Sequence, residues 1–259
     1  MKGTGNAMAL AGERAEDRTV LRIAGADRET FLHGLVTRDL GPAGAGLTYA
    51  ALLTPQGKYL ADFFLLNRGD DILLDVKTEI AQALAQRLMM YRLRADVTIG
   101  DADLPVVRGL GEAPDGAWPD PRAPSLGWRG YGMAGGDPVI DWDAIRVAAC
   151  VPETGVELIP NDSFILEAGF DRMGGVDHRK GCYVGQEVTA RMKHKTELRK
   201  GLVTVSVEGA APVGTEIMAG EKSAGTLYTQ AAGQGIAYLR FDRAGRDMRA
   251  GDARITWSG

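Results

Sequence analysis

Three apolar runs, residues 49–53, 58–66 and 72–76, restrict this chain more than any other stretch. Only short polar segments separate them: Pro55-Gln56-Gly57, then Asn67 to Asp70. Runs of this length, rich in Leu, Phe and Tyr and joined by Gly, Pro, Asn and Asp, fold back on one another as an antiparallel meander. Residues 19–24 alternate and predict a further strand. Asp27 reads as a helix N-cap, and Phe31, Leu32, Leu35 and Val36 follow at helical spacing, so a helix is predicted over 28–38. Thr78 reads as the cap of a longer helix over 79–91, with Ile80, Leu84 and Leu88 on one face. Strands are predicted at 96–99 and 106–110. This order of strand, helix, three strands, helix and strand predicts an α+β fold with helices packed on one face of a sheet.

The rest of the chain is more broken. Residues 112–136 read as a long loop with one short strand at 128–133. A short helix is predicted over 141–150, with Cys150 in the core among Val147, Ala148, Ala149 and Val151. After Lys200, five short strands at 202–207, 216–219, 225–228, 236–241 and 253–257 alternate with glycine turns, the pattern of a small barrel. A boundary within 198–201 divides a body, 1–198, from a barrel, 199–259. The body divides again near residue 100.

Composition narrows the possible partners. The net charge of −4 gives no global attraction to nucleic acid or anionic membrane, so any such binding needs a local patch. Two distant cysteines form no disulfide framework and suit a reducing compartment. They also lack CxxC or HxxxH spacing for a resident metal. No apolar run is long enough to span a membrane. Residues 1–19 lack the apolar core of a signal peptide and are expected to be a loose start.

The stretch most suggestive of chemistry is Lys180-Gly181-Cys182-Tyr183-Val184-Gly185-Gln186-Glu187. A helix is predicted from Gln186 to Lys193. One reading is a thiol in a glycine-flanked turn, where a helix N-terminus and Lys180 favour the thiolate. The other is a strand-to-helix turn around a small buried Cys. Residues 178–200 carry seven Lys and Arg against two Glu, which suits either a solvated face or a dock for a polyanion. Tyr91, Arg92 and Arg94 end the long helix. The arginines there either clamp a carboxylate or tie the helix end to Asp96 or Asp101. Asp62 and Glu167 are acids among apolar neighbours, and each must pair or act. There is no Walker loop, no complete dinucleotide fingerprint and no GxSxG. His33 reads as structural, and His178 and His194 as exposed.

The octamer at 180–187 resembles the signature of the YgfZ family of folate-binding proteins. Residues 31–39 (FLHGLVTRD), 53–58 (LTPQGK), 91–97 (YRLRADV) and 188–192 (VTARM) resemble family segments in the same order, so the resemblance spans nearly the whole chain. It implies a role in iron–sulfur cluster assembly or repair and a fold similar to the T-protein aminomethyltransferase of glycine cleavage. Tetrahydrofolate is then expected in a central channel lined by Asp62, Tyr91, Arg92, Arg94 and Glu167. Cys182 is implied as the reactive thiol or transient contact to a cluster. Lys180 would lower its pKa and touch folate or a partner, while Tyr183, Gln186 and Glu187 shape the site. A single thiol cannot hold a cluster, so assembly proteins or client enzymes must complete the ligand set. Aminomethyl transfer is the alternative reading, and Ala61, standing where T-protein carries a second acid beside Asp62, counts against it. An RNA-binding accessory role in tRNA modification, through the basic stretch, is a second. The implied location is the cytoplasm, or the mitochondrial matrix in a eukaryote. Two departures from the family are noted: Cys150 where a glycine is expected, and His33 where a glutamine is expected.

Overall fold

The computed structural model describes residues 12–195 and 198–259. The body begins with β1 (Glu13–Arg14), β2 (Arg18–Ala24), α1 (Arg28–His33), β3 (Leu47–Leu53), β4 (Tyr59–Asn67), β5 (Asp71–Lys77), α2 (Thr78–Tyr91) and β6 (Thr98–Asp101). The predicted meander is β3–β4–β5, inside a five-stranded antiparallel sheet of order β3-β4-β5-β2-β6. Its middle strand is buried along nearly all its length because both faces are covered. Ala61, Phe63 and Leu65 face Leu84 and Leu88 of α2. Tyr59 and Phe64 face a second core of Leu158, Ile165 and Phe170. A bulge opposite Leu52 and Leu53 brings Tyr59 to the face that Asp62 occupies.

Helix α1 is shorter than its apolar spacing predicts. Asp27 does not cap it; its carboxylate accepts from the Asp96 amide at 2.8 Å, and the chain leaves the helix at Gly34. Leu35 and Val36 are still buried, with Val36 bridging to Leu52, so the spacing marked burial rather than helix. Thr78 likewise makes no cap bond; its hydroxyl lies 3.0 Å from that of Thr19.

The chain continues through β7 (Val106–Gly109), β8 (Ala117–Pro119), a 3₁₀ turn (Pro124–Leu126), β9 (Trp128–Tyr131), α3 (Trp142–Ala148) and α4 (Gln186–Lys195). Strands β1-β7-β9-β8 form a second, four-stranded antiparallel sheet. The expected loose start thus includes a paired strand at Glu13–Arg14, while residues 1–11 lie outside the described part. The long loop contains β8 as well as the predicted β9.

The barrel is closed, with six strands in the order β10-β13-β12-β11-β14-β15: β10 (Lys200–Glu208), β11 (Thr215–Ala219), β12 (Lys222–Ala231), β13 (Gln234–Arg240), β14 (Met248–Ala250) and β15 (Ala253–Thr256). Five were predicted; three-residue β14 was too short to show as a run. Closure follows from β10, which pairs first with β13 and then, from Ser206, with β15. Gly225 in β12 allows the strands to meet, since a Cβ there would lie 2.0 Å from the Tyr238 carbonyl oxygen.

Helix α3 is capped by Asp141, which accepts from the Ala144 amide at 3.0 Å. It ends at Cys150, whose φ of 51° is left-handed. The Cys150 and Val151 amides return to the carbonyls of Val147 and Arg146 (3.1 and 2.8 Å), the geometry a glycine usually serves. Cys150 is therefore half-buried at a helix terminus rather than a core residue. Because a side chain in this conformation is strained, Cys150→Gly should stabilise the fold by about 0.5–1 kcal/mol in denaturant unfolding. A loss of stability would show that thiol packing outweighs the strain.

Candidate functional site

Cys182 is exposed, and its neighbours in sequence are anchored on both sides. The Lys180 side chain is fully buried, and its Nζ donates to the carbonyls of His33 and Val36 at 2.8 and 2.7 Å. Asp39 Oδ1 lies 3.2 Å away, and the Tyr183 ring centroid 5.2 Å away. Burial pulls the ammonium below the ordinary lysine range, against the opposing pull of Asp39. Tyr183 sits in the second core, and burial pushes its phenol up. Gly185 has φ 83°, and a Cβ there would lie 2.6 Å from the Thr54 carbonyl oxygen. Only glycine lets the loop rest this closely on the turn before β4.

This geometry changes the expected roles. The Lys180 ammonium serves the carbonyl end of α1, so Lys180 is a positioning residue. Helix α4 begins at Gln186, four residues after Cys182, and Tyr183 intervenes in the core, so the thiol is not in the helix's first turn. Gln186 Nε2 reaches back to the Lys180 carbonyl at 3.4 Å, and Glu187 is exposed in the first turn of α4. His33, read from sequence as merely structural, lies beside the loop. A Cβ on Gly181 would be 3.1 Å from its Nε2, and its Nδ1 is 2.7 Å from Asp39 Oδ1. Its departure from the expected glutamine was the available signal.

Asp62 is buried and saturated with donors. Tyr59 and Thr154 hydroxyls lie 2.7 and 2.6 Å from Oδ1, and the Tyr49 hydroxyl 3.0 Å from Oδ2. Burial, reinforced by Asp62, raises both phenols far above the ordinary tyrosine range, so they remain protonated donors. Tyr49 stacks on Phe170 with ring centroids 5.1 Å apart. Arg122 and Arg129 cover Phe64 at 4.7 and 4.2 Å. Behind them runs a buried ion network: Arg18 to Asp75 at 2.6 Å, Arg129 to Asp75 and Asp120 at 3.2 and 3.3 Å, and Arg122 to Asp120 at 2.8 Å. A cavity of about 30 Å³ lies at this ion network, walled by Arg108, Asp120, Arg122, Arg129 and Trp142 and not by Asp62. It admits about two water molecules, not a bicyclic ring. Asp62 itself is buried, and both its oxygens are engaged by hydroxyls of the chain.

The structure does not bring Tyr91, Arg92 and Arg94 to Asp62. Tyr91 packs against the core on the α2 side of the sheet, and Asp62 points to the other face. Arg92 donates to the Val97 carbonyl at 3.3 Å, and Arg94 is exposed. Neither expected partner is used: Asp96 accepts from the Ala26 amide and Asp101 from that of Asp103.

Glu167 lies apart again, between body and barrel. Its Oε2 accepts from the Tyr238 hydroxyl at 2.5 Å and is 3.8 Å from Lys200 Nζ. It borders two cavities of about 140 and 270 Å³. Glu157 nearby is committed, binding Arg146 at 2.9 Å and the Thr229 hydroxyl at 2.7 Å across to β12. In the basic stretch, Lys193 pairs with Asp171, which His178 also meets at 2.9 Å, and Arg179 lies 3.7 Å from Asp177. Among the described residues no three His, Cys, Asp or Glu side chains converge as a metal site, and no helix is long and apolar enough to cross a membrane.

Residues 199–259 match the family described as the CAF17 C-terminal beta-barrel domain. Over 87% of its length the chain is 31% identical to the iron-sulfur cluster assembly factor IBA57, mitochondrial, of Homo sapiens, covering 76% of that protein. This chain belongs to the YgfZ-type family that includes IBA57. The Mus musculus IBA57 is likewise 31% identical, over 88% of this chain and 76% of its own length. Among solved structures, the glycine cleavage system aminomethyltransferase T from Bartonella henselae superposes with a TM-score of 0.74 at 13% identity, covering 95% of this chain and 84% of its own. At that identity the likeness concerns the fold, and it matches the α+β body and closed barrel seen in this family member.

The ion network has a consequence for acid stability. Burial alone would raise the Asp120 carboxyl; Arg122 and Arg129 outweigh it and hold it below its ordinary 3.8. A depressed carboxylate contributes stability above its unfolded pKa and loses it as pH falls through the folded one. The stability gap between wild type and Asp120→Asn should therefore narrow as pH drops from about 5 towards 2. A gap independent of pH, followed by urea unfolding, would contradict this.

Proposed function

We propose that this protein is an iron–sulfur cluster assembly factor that offers the Cys182 thiolate to a cluster held jointly with a partner, and that it also binds tetrahydrofolate. The observation that carries the reading is the setting of Cys182: exposed, yet between residues 180 and 183 that are both buried. A rigidly presented thiol meets an incoming cluster without an ordering cost. One cysteine fills only one of the positions a cluster needs, so assembly proteins or client enzymes supply the remaining ligands. The name carried by the relatives supports this role. The compartment follows from it: the mitochondrial matrix in a eukaryotic cell, the cytoplasm in a bacterial one.

The folate part rests on the family resemblance. Saturation of Asp62 by three hydroxyls also weighs against aminomethyl transfer. The RNA reading loses support because Lys180, Lys193 and Lys200 each lie beside a carboxylate.

The test is reconstitution of a [4Fe–4S] client enzyme. Wild-type protein should raise client activity, and Cys182→Ala should return it to the level without the protein. Since the side chain is exposed, the variant should keep its stability within about 0.5 kcal/mol. Equal support from Cys182→Ala would refute the thiol role.

A further inference from the structure

The buried ion network ties the two sheets of the body together, since Arg129 on β9 reaches Asp75 on β5. One guanidinium beside it stands outside the pairing. Arg122 spends Nε and Nη2 on Asp120 at 3.0 and 2.8 Å, and Arg129 spends Nε and Nη1 on Asp120 and Asp75. Arg108 on β7 has no such bond. Its Nε is buried and has no hydrogen-bond partner among the described residues. Its carboxylate neighbour, Glu13, lies 3.7 Å away and already accepts from the Val139 and Ile140 amides at 2.6 and 2.8 Å and from the Trp142 indole. Glu153 is held by Lys77 at 2.7 Å. The Arg108 guanidinium rests on the Trp142 ring, 4.4 Å from its centroid. Burial and the neighbouring Arg129 pull Arg108 down to about 10. In Arg18 and Arg122 the same burial is outweighed by Asp75 and Asp120, and both rise.

Arg108, Arg122 and Arg129 all wall the cavity of about 30 Å³, where the acids are Asp120 and Glu153. Three guanidinium groups face two carboxylates, so the lining carries one positive charge in excess. Water can accept from the leftover nitrogens, but it leaves that charge uncompensated where an unpaired charge is costly. The space of about two waters admits one chloride ion and is too small for a phosphate or a carboxylate-bearing ligand. The Arg108 side chain is 23% exposed, against 8% and 6% for Arg122 and Arg129, so an ion has a way in on its side.

We infer that this cavity binds a single chloride ion, held by Arg108 and by the Arg122 and Arg129 nitrogens that the carboxylates leave over. The ion gives Arg108 the partner that the chain does not, and it fastens the two sheets behind Phe64, whose ring Arg122 and Arg129 cover. The site is independent of Cys182 and of folate.

Crystals of the full chain grown in bromide test the site directly, because bromide takes the place of chloride and scatters anomalously. An anomalous peak within hydrogen-bond reach of Arg108 is expected; water alone in the cavity would overturn the inference. In solution, urea unfolding in sodium chloride and in sodium gluconate of equal ionic strength separates the specific ion from screening. At about 0.1 M, chloride should lower the unfolding equilibrium constant about tenfold relative to gluconate, as a ligand at about ten times its Kd does. Arg108→Met, which keeps an apolar stem on Trp142, should be equally stable in the two salts. Equal stability of wild type in both, or an undiminished chloride effect in Arg108→Met, would overturn the site.

Discussion

Burial of both faces of the β3–β4–β5 sheet is the constraint on which the body depends. One face is covered by α2, whose own hydrogen bonds are internal. The other is covered by the stretch between α3 and α4, which has turns but no strand ladder of its own. A cover of that kind must satisfy its backbone by reaching the sheet. It does so at Tyr59, whose amide donates to the Ser163 carbonyl and whose carbonyl accepts from the Asn161 amide. It does so again at Thr37, which donates to the Gly175 carbonyl at 2.6 Å and accepts from the Ala51 amide at 2.8 Å. Asp62 belongs to the same set, since Thr154 comes from the cover and Tyr49 and Tyr59 from the sheet. An acid at this depth is tolerable only because both of its oxygens meet donors.

Lys180 is the last of these fasteners and the one closest to function. A buried ammonium needs acceptors, and two main-chain carbonyls with Asp39 supply them. With Tyr183 locked into the core two residues after Gly181, the chain between has few conformations left, and Cys182 projects outward. The thiol is thus set by its neighbours' burial rather than by charge around it. His33 and Asp39 flank the same loop at Gly181, while the Lys180 ammonium ends on the carbonyls of His33 and Val36.

Much of the fold was readable because the signals were local. Short apolar runs and tight turns located β3, β4 and β5, and glycine-separated strands located the barrel. Where apolar spacing came from a long-range partner, the reading erred: Leu35 and Val36 are buried against β3, not on a helix. Asp27 and Thr78 have the chemistry of caps, but tertiary partners, the Asp96 amide and the Thr19 hydroxyl, claim their side chains. At the site, the octamer singled out Cys182, which lies exposed in its loop, but sequence adjacency says nothing of where a long side chain ends, and Lys180 ends on the carbonyls of His33 and Val36. Arg92, Asp62 and Glu167, grouped by resemblance, lie at three separate places. Tyr228 and Tyr238, which line the cavity beside Glu167, sit on barrel strands with ordinary alternation, and nothing local marks them.

Lys180 pins the Cys182 loop onto the end of α1. Amide hydrogen exchange over residues 181–189, compared between wild type and Lys180→Met, tests it most directly. Exchange should be slow in wild type at the Thr189 and Gln186 amides, which donate to the Gly185 and Tyr183 carbonyls. It should accelerate about tenfold or more in the variant, as the carbonyls of His33 and Val36 lose their donor. Fast exchange in wild type, or equal protection in both proteins, would contradict it.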